Sequence, residues 1–200
     1  MFPGKNRRER VLDLVEKDDC EAIRGFIAKY SKFEIEIGSG NGHFLVNYAR
    51  RNPECGFIGI EAKKKRALKI HCKIKNAQLE NVIVFHGSAE SLLDLLQPCS
   101  CDALHVYFPD PWPKTKHRRR RFMKKETLEL FDSLLKPHGK VYFASDVFDY
   151  YLQVKLLGIL SPVFNISSEM IPEDMGTSLF LQRTVAAGKK THWIVLEKEK

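Results

Sequence analysis

Short apolar runs alternate with helical stretches through most of this 200-residue chain. Five runs have the length and residue content of buried strands, and each is followed by a segment with the apolar spacing of a helix. The predicted strands are residues 33–37, 56–60, 82–85, 102–108 and 141–144, and the predicted helices are residues 43–51, 63–75, 91–96, 122–135 and 147–160. Repeated strand–helix units predict an α/β fold, in which a doubly wound, mostly parallel sheet carries helices on both faces.

The two ends of the chain extend this pattern. Residues 162–168 and 191–197 predict two closing strands with no helix between them, which gives about seven strands. Residues 7–29 have amphipathic spacing and predict a leading helical segment. Residues 136–139, KPHG, predict a helix end. We expect one domain over residues 1–200, with a helical extension over 1–30 and the core over 31–200.

The excess positive charge of the chain is concentrated in one segment. The chain has 33 Lys and Arg against 25 Asp and Glu, and eight of the basic residues fall within residues 114–125, where there is no acid. The other basic residues balance the acids. A local excess of this kind favours a polyanionic partner.

Cysteine and histidine usage argues against disulfides and metal sites. The five cysteines are an odd number, no secretory segment precedes them, and Cys99-Ser-Cys101 lacks the spacing that chelates zinc. The seven histidines show no zinc-helix spacing, so we predict no metal. No long apolar run occurs, so we expect a cytoplasmic protein with reduced thiols and no membrane association.

A glycine-rich loop follows the first strand and opens a helix. Residues 36–42 read EIGSGNG, with Gly38, Gly40 and Gly42 spaced G-x-G-x-G and Glu36 two residues before them. A dinucleotide fold instead needs G-x-G-x-x-G for a pyrophosphate, and a carboxylate is a poor neighbour for phosphate. Glu61 ends the second strand, where an acid can bind both ribose hydroxyls of an adenosine. A ligand with a ribose and an ammonium group but no phosphate indicates S-adenosylmethionine; a turn without a ligand and a nicotinamide site are the alternatives.

A second notable segment, residues 109–121, reads PDPWPKTKHRRRR. Asp110 lies between two prolines at the end of the fourth strand. Taken alone, Pro-Asp-Pro is ordinary turn chemistry. The carboxyl ends of parallel strands form the ligand-binding edge of such sheets, however, and the glycine loop, Glu61 and Asp146 all fall at strand ends. We therefore expect Asp110 to be functional.

Together, EIGSGNG at 36–42, GIE at 59–61 and PDPWPKTKHRRRR at 109–121 resemble the bacterial tRNA (guanine-N7)-methyltransferases. The resemblance covers about residue 30 to the C-terminus. It implies a Rossmann-like methyltransferase domain that transfers a methyl group from S-adenosylmethionine to N7 of a guanine in the variable loop of tRNA. It implies no obligatory protein partner.

The resemblance also implies roles for individual residues. The donor would contact Glu36, the glycines of the loop, Glu61, Ser88, Ala89 and Asp110, and Asp110 would also be the catalytic residue. The substrate would contact Lys114, Asp146, Thr177 and Phe180. The RNA would contact Lys116, His117, Arg118, Arg119, Arg120 and Arg121.

The chain departs from the family pattern at two sites. Ser88-Ala89-Glu90 stands where the family usually has Asp-Ala, so either Ser88 or Glu90 would face the adenine. Residues 176–183, GTSLFLQR, lack the glutamate of the family's C-terminal substrate stretch, and Gln182 is the candidate replacement.

Two further questions stay open at this level. Residues 63–75 carry seven basic residues and no acid, which fits either a solvated helix face or an RNA contact, and the same applies to Lys5, Arg7, Arg8 and Arg10. A non-catalytic RNA-binding protein, a methyltransferase that acts on an exocyclic amine and a nicotinamide oxidoreductase are the competing functions.

Overall fold

The computed structural model describes residues 14–170 and 179–199. The strands are β1 (Leu14–Val15), β2 (Lys32–Ile37), β3 (Cys55–Glu61), β4 (Val82–His86), β5 (Cys101–Tyr107), β6 (Leu135–Ser145), β7 (Phe164–Ser168) and β8 (His192–Lys198). The helices are α1 (Cys20–Ile27), α2 (His43–Arg51), α3 (Lys64–Asn76), α4 (Ala89–Leu93), α5 (Lys125–Leu134), α6 (Phe148–Ile159) and α7 (Leu179–Ala186), and a 3₁₀ helix spans Thr115–Arg120.

The strands form one mostly parallel sheet, as predicted, in the order β1-β4-β3-β2-β5-β6-β8-β7. All pairs from β1 to β6 are parallel, whereas β8 is antiparallel to both β6 and β7. The chain moves outward from β2 through β3 to β4 and then returns to the other side of β2 at β5. The carboxyl ends of β2 and β5 therefore flank the switch point where ligands bind in doubly wound sheets.

Helices cover both faces of the sheet, and side chains alternate between two cores. On β3, Ile58 faces a core that includes residues of α1, α4, α5 and α6. Its neighbour Phe57 faces the opposite core, which includes residues of α2 and α3. This alternation follows from the two-residue period of a strand, and it separates the helices into two layers.

The N-terminal expectation needs correction. Within residues 7–29 the described part contains a short strand, Leu14–Val15, that pairs with Val84 and Phe85 at the sheet edge, and only Cys20–Ile27 is helical. The strand brings the described sheet to eight strands. A two-residue strand has no periodicity for a sequence to show, because it is fixed by pairing to a distant segment.

Two further features differ from the prediction. Helix α7 lies between β7 and β8, where no helix was predicted. The helix end predicted before residues 136–139 is confirmed, because α5 ends at Leu134, but these residues form an irregular part of β6, which begins at Leu135 rather than at residue 141. There Cys101 pairs with Leu135 and Ala103 with Lys140, which leaves the four intervening residues opposite Asp102.

Candidate active site

A pocket of about 450 Å³ lies at the carboxyl ends of β2, β3, β4 and β5. Of the predicted donor-binding residues, its lining includes Gly38, Glu61, Ser88, Ala89 and Asp110. Other lining residues, none of which sequence reasoning assigned to donor binding, are Lys63, Arg66, Trp112, Arg120 and Phe122. The fold thus brings residues up to 85 positions apart in the chain, Ile37 and Phe122, to one cavity.

The glycine loop crosses the end of β3. The N–H groups of Gly38 and Ser39 both donate to the Ile60 carbonyl, at 3.0 and 2.8 Å. All three loop glycines have left-handed φ angles, between 58° and 79°, which favours glycine over any residue with a Cβ. At Gly42 a Cβ would also lie 2.9 Å from Ile70 of α3. The loop therefore needs glycine there for both conformation and space.

Glu61 fixes the loop from the end of β3. Its Oε2 accepts a hydrogen bond from the Gly40 N–H at 2.9 Å, and its Oε1 accepts one from the Lys63 N–H at 2.8 Å. A carboxylate held by two backbone donors keeps one orientation and still has lone pairs for ligand hydroxyls. Glu61 therefore presents to the pocket a fixed carboxylate that can accept hydrogen bonds from a ligand.

Glu36 lies beneath the loop and is only 6% exposed. Among the described residues, no group forms a hydrogen bond with its Oε2. The pKa of Glu36 is raised to about 7, mainly by burial, while a hydrogen bond with Ser39 lowers the pKa and the nearby charge of Glu61 raises it. A buried carboxylate with an unsatisfied oxygen is costly unless a cation or donor meets it. It therefore fits the ammonium group of an amino-acid ligand such as S-adenosylmethionine.

Ser88 caps helix α4 at the rim of the pocket. Its Oγ accepts a hydrogen bond from the Ser91 N–H at 3.2 Å and lies 2.9 Å from Ser91 Oγ. Ser88 and Glu90 both line the pocket, so both remain candidates for the adenine contact.

The proline segment carries Asp110 into the pocket on a strained backbone. Phe108 and Trp112 flank it with φ angles of 51° and 41°, values that bulky residues rarely adopt and that cost energy unless the surroundings enforce them. Asp110 is exposed, and none of the described residues forms a hydrogen bond or ion pair with its carboxylate. Its oxygens are therefore available to a ligand.

Arg121 enforces this conformation and is not an RNA-facing residue. Its side chain is 2% exposed. Its Nε donates to the Pro111 carbonyl at 2.9 Å, while its other nitrogens donate to Gln153 at 2.8 Å and Asp149 at 2.6 Å. The guanidinium also lies over the ring of Tyr150. The expectation that Arg121 contacts RNA is corrected, because these α6 partners enclose its charge.

The rest of the basic run forms the 3₁₀ helix Thr115–Arg120 beside the pocket. Arg118 forms an ion pair of 3.1 Å with Asp149, and Arg120 lies over the Trp112 ring at 5.0 Å. Lys116 and Arg119 are exposed, and His117 packs edge-on against Trp112. One side of the run is thus attached to the fold while its remaining charges face solvent.

Comparisons with known proteins agree with this geometry. The family model described as "Putative methyltransferase" matches residues 31–177. The tRNA (guanine-N7)-methyltransferase of Agrobacterium fabrum is 36% identical over 74% of this chain and 68% of its own length. That of Paracoccus denitrificans is 33% identical over 82% of this chain and 71% of its own length. The corresponding match to the Rhizobium meliloti enzyme is 35% over 70% of this chain and 60% of its own length.

The chain belongs to the bacterial tRNA (guanine-N7)-methyltransferase family. The resemblance that the motifs predicted is confirmed. Solved structures support the fold alone: the 16S rRNA methyltransferase KamB superposes with a TM-score of 0.66 at 17% identity, covering 90% of this chain and 94% of its own. An antibiotic-related methyltransferase superposes with a TM-score of 0.64 at 18% identity, covering 91% and 94%.

Two of the expected substrate residues of this family member, Lys114 and Asp146, do not line the pocket. Asp146 follows β6, with one carboxylate oxygen 3.8 Å from Lys189 Nζ, and Lys114 is exposed ahead of the 3₁₀ helix. Thr177 falls outside the described residues, and only the backbone of Phe180 is described, in α7. The substrate roles of all four residues stay predictions.

Where the chain is described, one histidine is buried and the cysteines form no disulfide. Within those residues, no group of three or more His, Cys, Asp or Glu could hold a metal ion. His105 bridges Tyr107 and Glu34 at 2.7 Å on each side, inside the core. The five cysteines are free thiols. No helix in the described ranges has the length and apolarity to cross a membrane.

Proposed function

We propose that this protein transfers a methyl group from S-adenosylmethionine to N7 of a guanine in tRNA, in the variable loop that the family resemblance implies. The carrying observation is that Glu61 and Asp110 line one pocket, while the Glu36 carboxylate near Glu61 is buried with one oxygen that accepts no hydrogen bond from the described residues. The relatives named for this reaction support the proposal. We take residues 1–200 as one methyltransferase domain that acts in the cytoplasm.

The donor-binding roles divide between the two glutamates. Glu36 offers a negative charge to an ammonium group, and Glu61 offers fixed carboxylate oxygens to ribose hydroxyls. The glycine loop allows a ligand to lie against the backbone. S-adenosylmethionine, when bound, supplies the reactive methyl group.

Asp110 performs an orienting and electrostatic role in this proposal. Guanine N7 has a free lone pair and carries no proton at neutral pH, so no general base is required. The protein must align N7 with the methyl group, and alignment is mainly an entropic and orientational task. The Asp110 carboxylate can accept hydrogen bonds from the guanine edge and stabilise positive charge as the ring gains it.

The exposed side chains of the basic run bind the tRNA backbone. Lys116, Arg119 and Arg120 flank the pocket through the 3₁₀ helix and Trp112. Phosphate contacts of this kind position a nucleic acid without reading its sequence. If about five phosphates are neutralised in all, the logarithm of affinity falls with the logarithm of salt concentration with a slope of roughly −3.5 to −4.5.

A methyl-transfer assay tests the proposal. Unmodified tRNA transcript and labelled S-adenosylmethionine are incubated with the protein, and the digested nucleosides are identified by mass. The expected product is N7-methylguanosine, absent with Asp110→Ala. If a different methylated nucleoside is found, the assignment of S-adenosylmethionine as the donor stands and the N7 assignment is overturned. If the protein does not bind the donor, a non-catalytic RNA-binding protein is favoured.

A further inference from the structure

The two helical layers of this protein carry opposite charge. Helices α2 and α3 together contain eight Lys and Arg and no Asp or Glu. Helices α1, α4, α5 and α6, on the other face, contain three basic and six acidic residues. The balance of charge outside residues 114–125 therefore conceals a second strongly positive surface, separate from the basic run.

Part of this surface forms a continuous track that starts at the active-site pocket. Arg66, Lys69 and Lys73 are spaced by three and four residues on α3, so they lie along one side of the helix. Arg66 lines the active-site pocket. Lys73 lines a cleft of about 260 Å³ between α2 and α3, together with Arg50 of α2. We call Arg66, Lys69, Lys73 and Arg50 the basic track.

The cleft at the far end of the track is suited to an anion. Among the described residues that line it there is no carboxylate, and Asn47 and Asn76 add amide groups. Lys73 Nζ lies 2.7 Å from the Asn41 carbonyl and 3.1 Å from His43 Nε2. Burial lowers the pKa of Lys73, and the neighbouring Lys69 charge lowers it further. Positive charges crowded together without an acid favour a bound anion, which removes their mutual repulsion.

We propose that the basic track is a second RNA-binding surface, in which Arg50, Lys69 and Lys73 contact backbone phosphates of the tRNA substrate. The continuity of the track with the pocket through Arg66 favours RNA over an acidic protein or a membrane, because a substrate whose guanine occupies the pocket must extend across the surface around it. The inference rests on the proposed function for the identity of the RNA. It enlarges the tRNA contact from the 3₁₀ helix to the opposite side of the pocket.

The test is the double variant Arg50→Gln/Lys69→Gln, which leaves Lys73 in place because Lys73 contacts the glycine loop. The matched control is Arg24→Gln/Lys29→Gln, which removes the same charge from exposed positions on and just after α1, on the opposite layer. Affinity for tRNA transcript is measured from low to high KCl for both, and affinity for S-adenosylhomocysteine is measured by calorimetry.

We expect the Arg50/Lys69 variant to bind tRNA on the order of tenfold more weakly at low salt, with a salt slope shallower by about 1.4 to 1.8, since each phosphate contact contributes about 0.7 to 0.9. Its affinity for S-adenosylhomocysteine and the tRNA affinity of the control should stay at the wild-type value. Equal tRNA affinity and slope in the two double variants would overturn the proposal, whatever other anion the surface binds.

The two proposals fail separately. If the wild-type protein forms no N7-methylguanosine but the Arg50/Lys69 variant still loses salt slope, the surface assignment stands and the assigned reaction does not. If the wild-type protein forms N7-methylguanosine and the variant binds tRNA like the control, the reaction stands and the surface assignment is overturned.

Discussion

The Arg121 guanidinium holds the segment that carries Asp110, with its Nε 2.9 Å from the Pro111 carbonyl oxygen. The same group donates to Asp149 and Gln153, so the proline segment is joined to helix α6 by one buried cation. Further contacts strengthen the junction, since the Tyr150 hydroxyl accepts from the Met123 N–H and Gln153 donates to the Met123 carbonyl. The last arginine of the basic run thus connects helix α6 to the segment that carries Asp110.

Replacing Arg121 should destabilise the protein and slow turnover without changing the salt dependence of tRNA binding. Arg121→Gln removes three buried hydrogen bonds, and we expect the free energy of unfolding to fall by about 1–3 kcal/mol, since Asp149 is half-exposed and can be rehydrated. Urea unfolding and steady-state kinetics check this. Arg119→Gln, which removes an exposed charge, is the control and should weaken tRNA binding without changing stability. If Arg121→Gln instead weakens the salt dependence of tRNA binding and leaves stability unchanged, Arg121 binds RNA.

Glu36 should make the stability of the free protein depend on pH. Its pKa in the folded protein is about 7, above the ordinary value of 4.5. Between these values the folded state holds a proton that the unfolded state has lost, so stability falls as pH rises through this window, by on the order of 3 kcal/mol. Glu36→Gln removes this dependence. Urea unfolding from pH 4.5 to 8, compared between wild type and variant without donor, measures it, with exposed Glu126→Gln as the control.

The same variant should lose donor affinity. A hydrogen bond to a charged partner contributes about 1.5–3 kcal/mol, so Glu36→Gln should weaken S-adenosylmethionine binding by roughly 10- to 150-fold. Because an ammonium favours the ionised carboxylate, donor binding at pH 6 should release a proton from the wild-type protein but not from the variant. Calorimetry in buffers of different ionisation enthalpy detects this. Equal donor affinity in both proteins would mean that the ammonium lies elsewhere.

Asp110→Asn should separate binding from catalysis. The substitution keeps the size of the side chain and removes its charge, so donor affinity should change by no more than a few fold while kcat falls about 100-fold or more. Calorimetric titration and single-turnover methyl transfer provide the two readouts. Asp94→Asn, at an exposed carboxylate just after α4, should leave both unchanged. Parallel losses of donor binding and turnover would indicate a donor-binding role alone.

Two glycines of the loop distinguish steric from conformational constraint. Both have left-handed φ angles, but a Cβ at Gly42 would lie 2.9 Å from Ile70, whereas a Cβ at Gly38 would meet no atom within 4 Å. Gly38→Ala should therefore cost about 1–2 kcal/mol of stability from its backbone conformation, and Gly42→Ala should cost about 1–3 kcal/mol more from overpacking. Urea unfolding measures the loss of stability in both variants. Equal losses would show that Ile70 of α3 moves away from the added methyl group without cost.

The sequence predicted the sheet well because its central strands have strong local signals. Strands β2 to β5 and helices α2 and α3 were placed to within about two residues, since each combines an apolar run with turn residues at its end. Helix α4 was placed less well, since it spans Ala89–Leu93 and the prediction was residues 91–96. Helix α7 was missed because residues 162–197 showed no helical spacing that outweighed the two flanking strands.

The sequence predicted the pocket residues that follow the ends of the strands, and it missed pocket residues that lie within a helix. Glu61, Ser88, Ala89 and Asp110 line one pocket because strand ends of a doubly wound sheet share an edge. Arg66 has a weaker signal, its place in the first turn of the helix that follows Glu61.

The sequence by itself determined the fold class and the family, and it proposed the donor-binding motifs, because apolar periodicity and motif spacing are local properties of the chain. The tertiary structure decided which charges are exposed and which surface they form. Arg121 directly follows three exposed arginines in the same basic run, and only its contacts with Asp149, Tyr150 and Gln153 enclose its charge. The basic track likewise exists only because the sheet places α2 beside α3 and all the other helices but α7 on the opposite face.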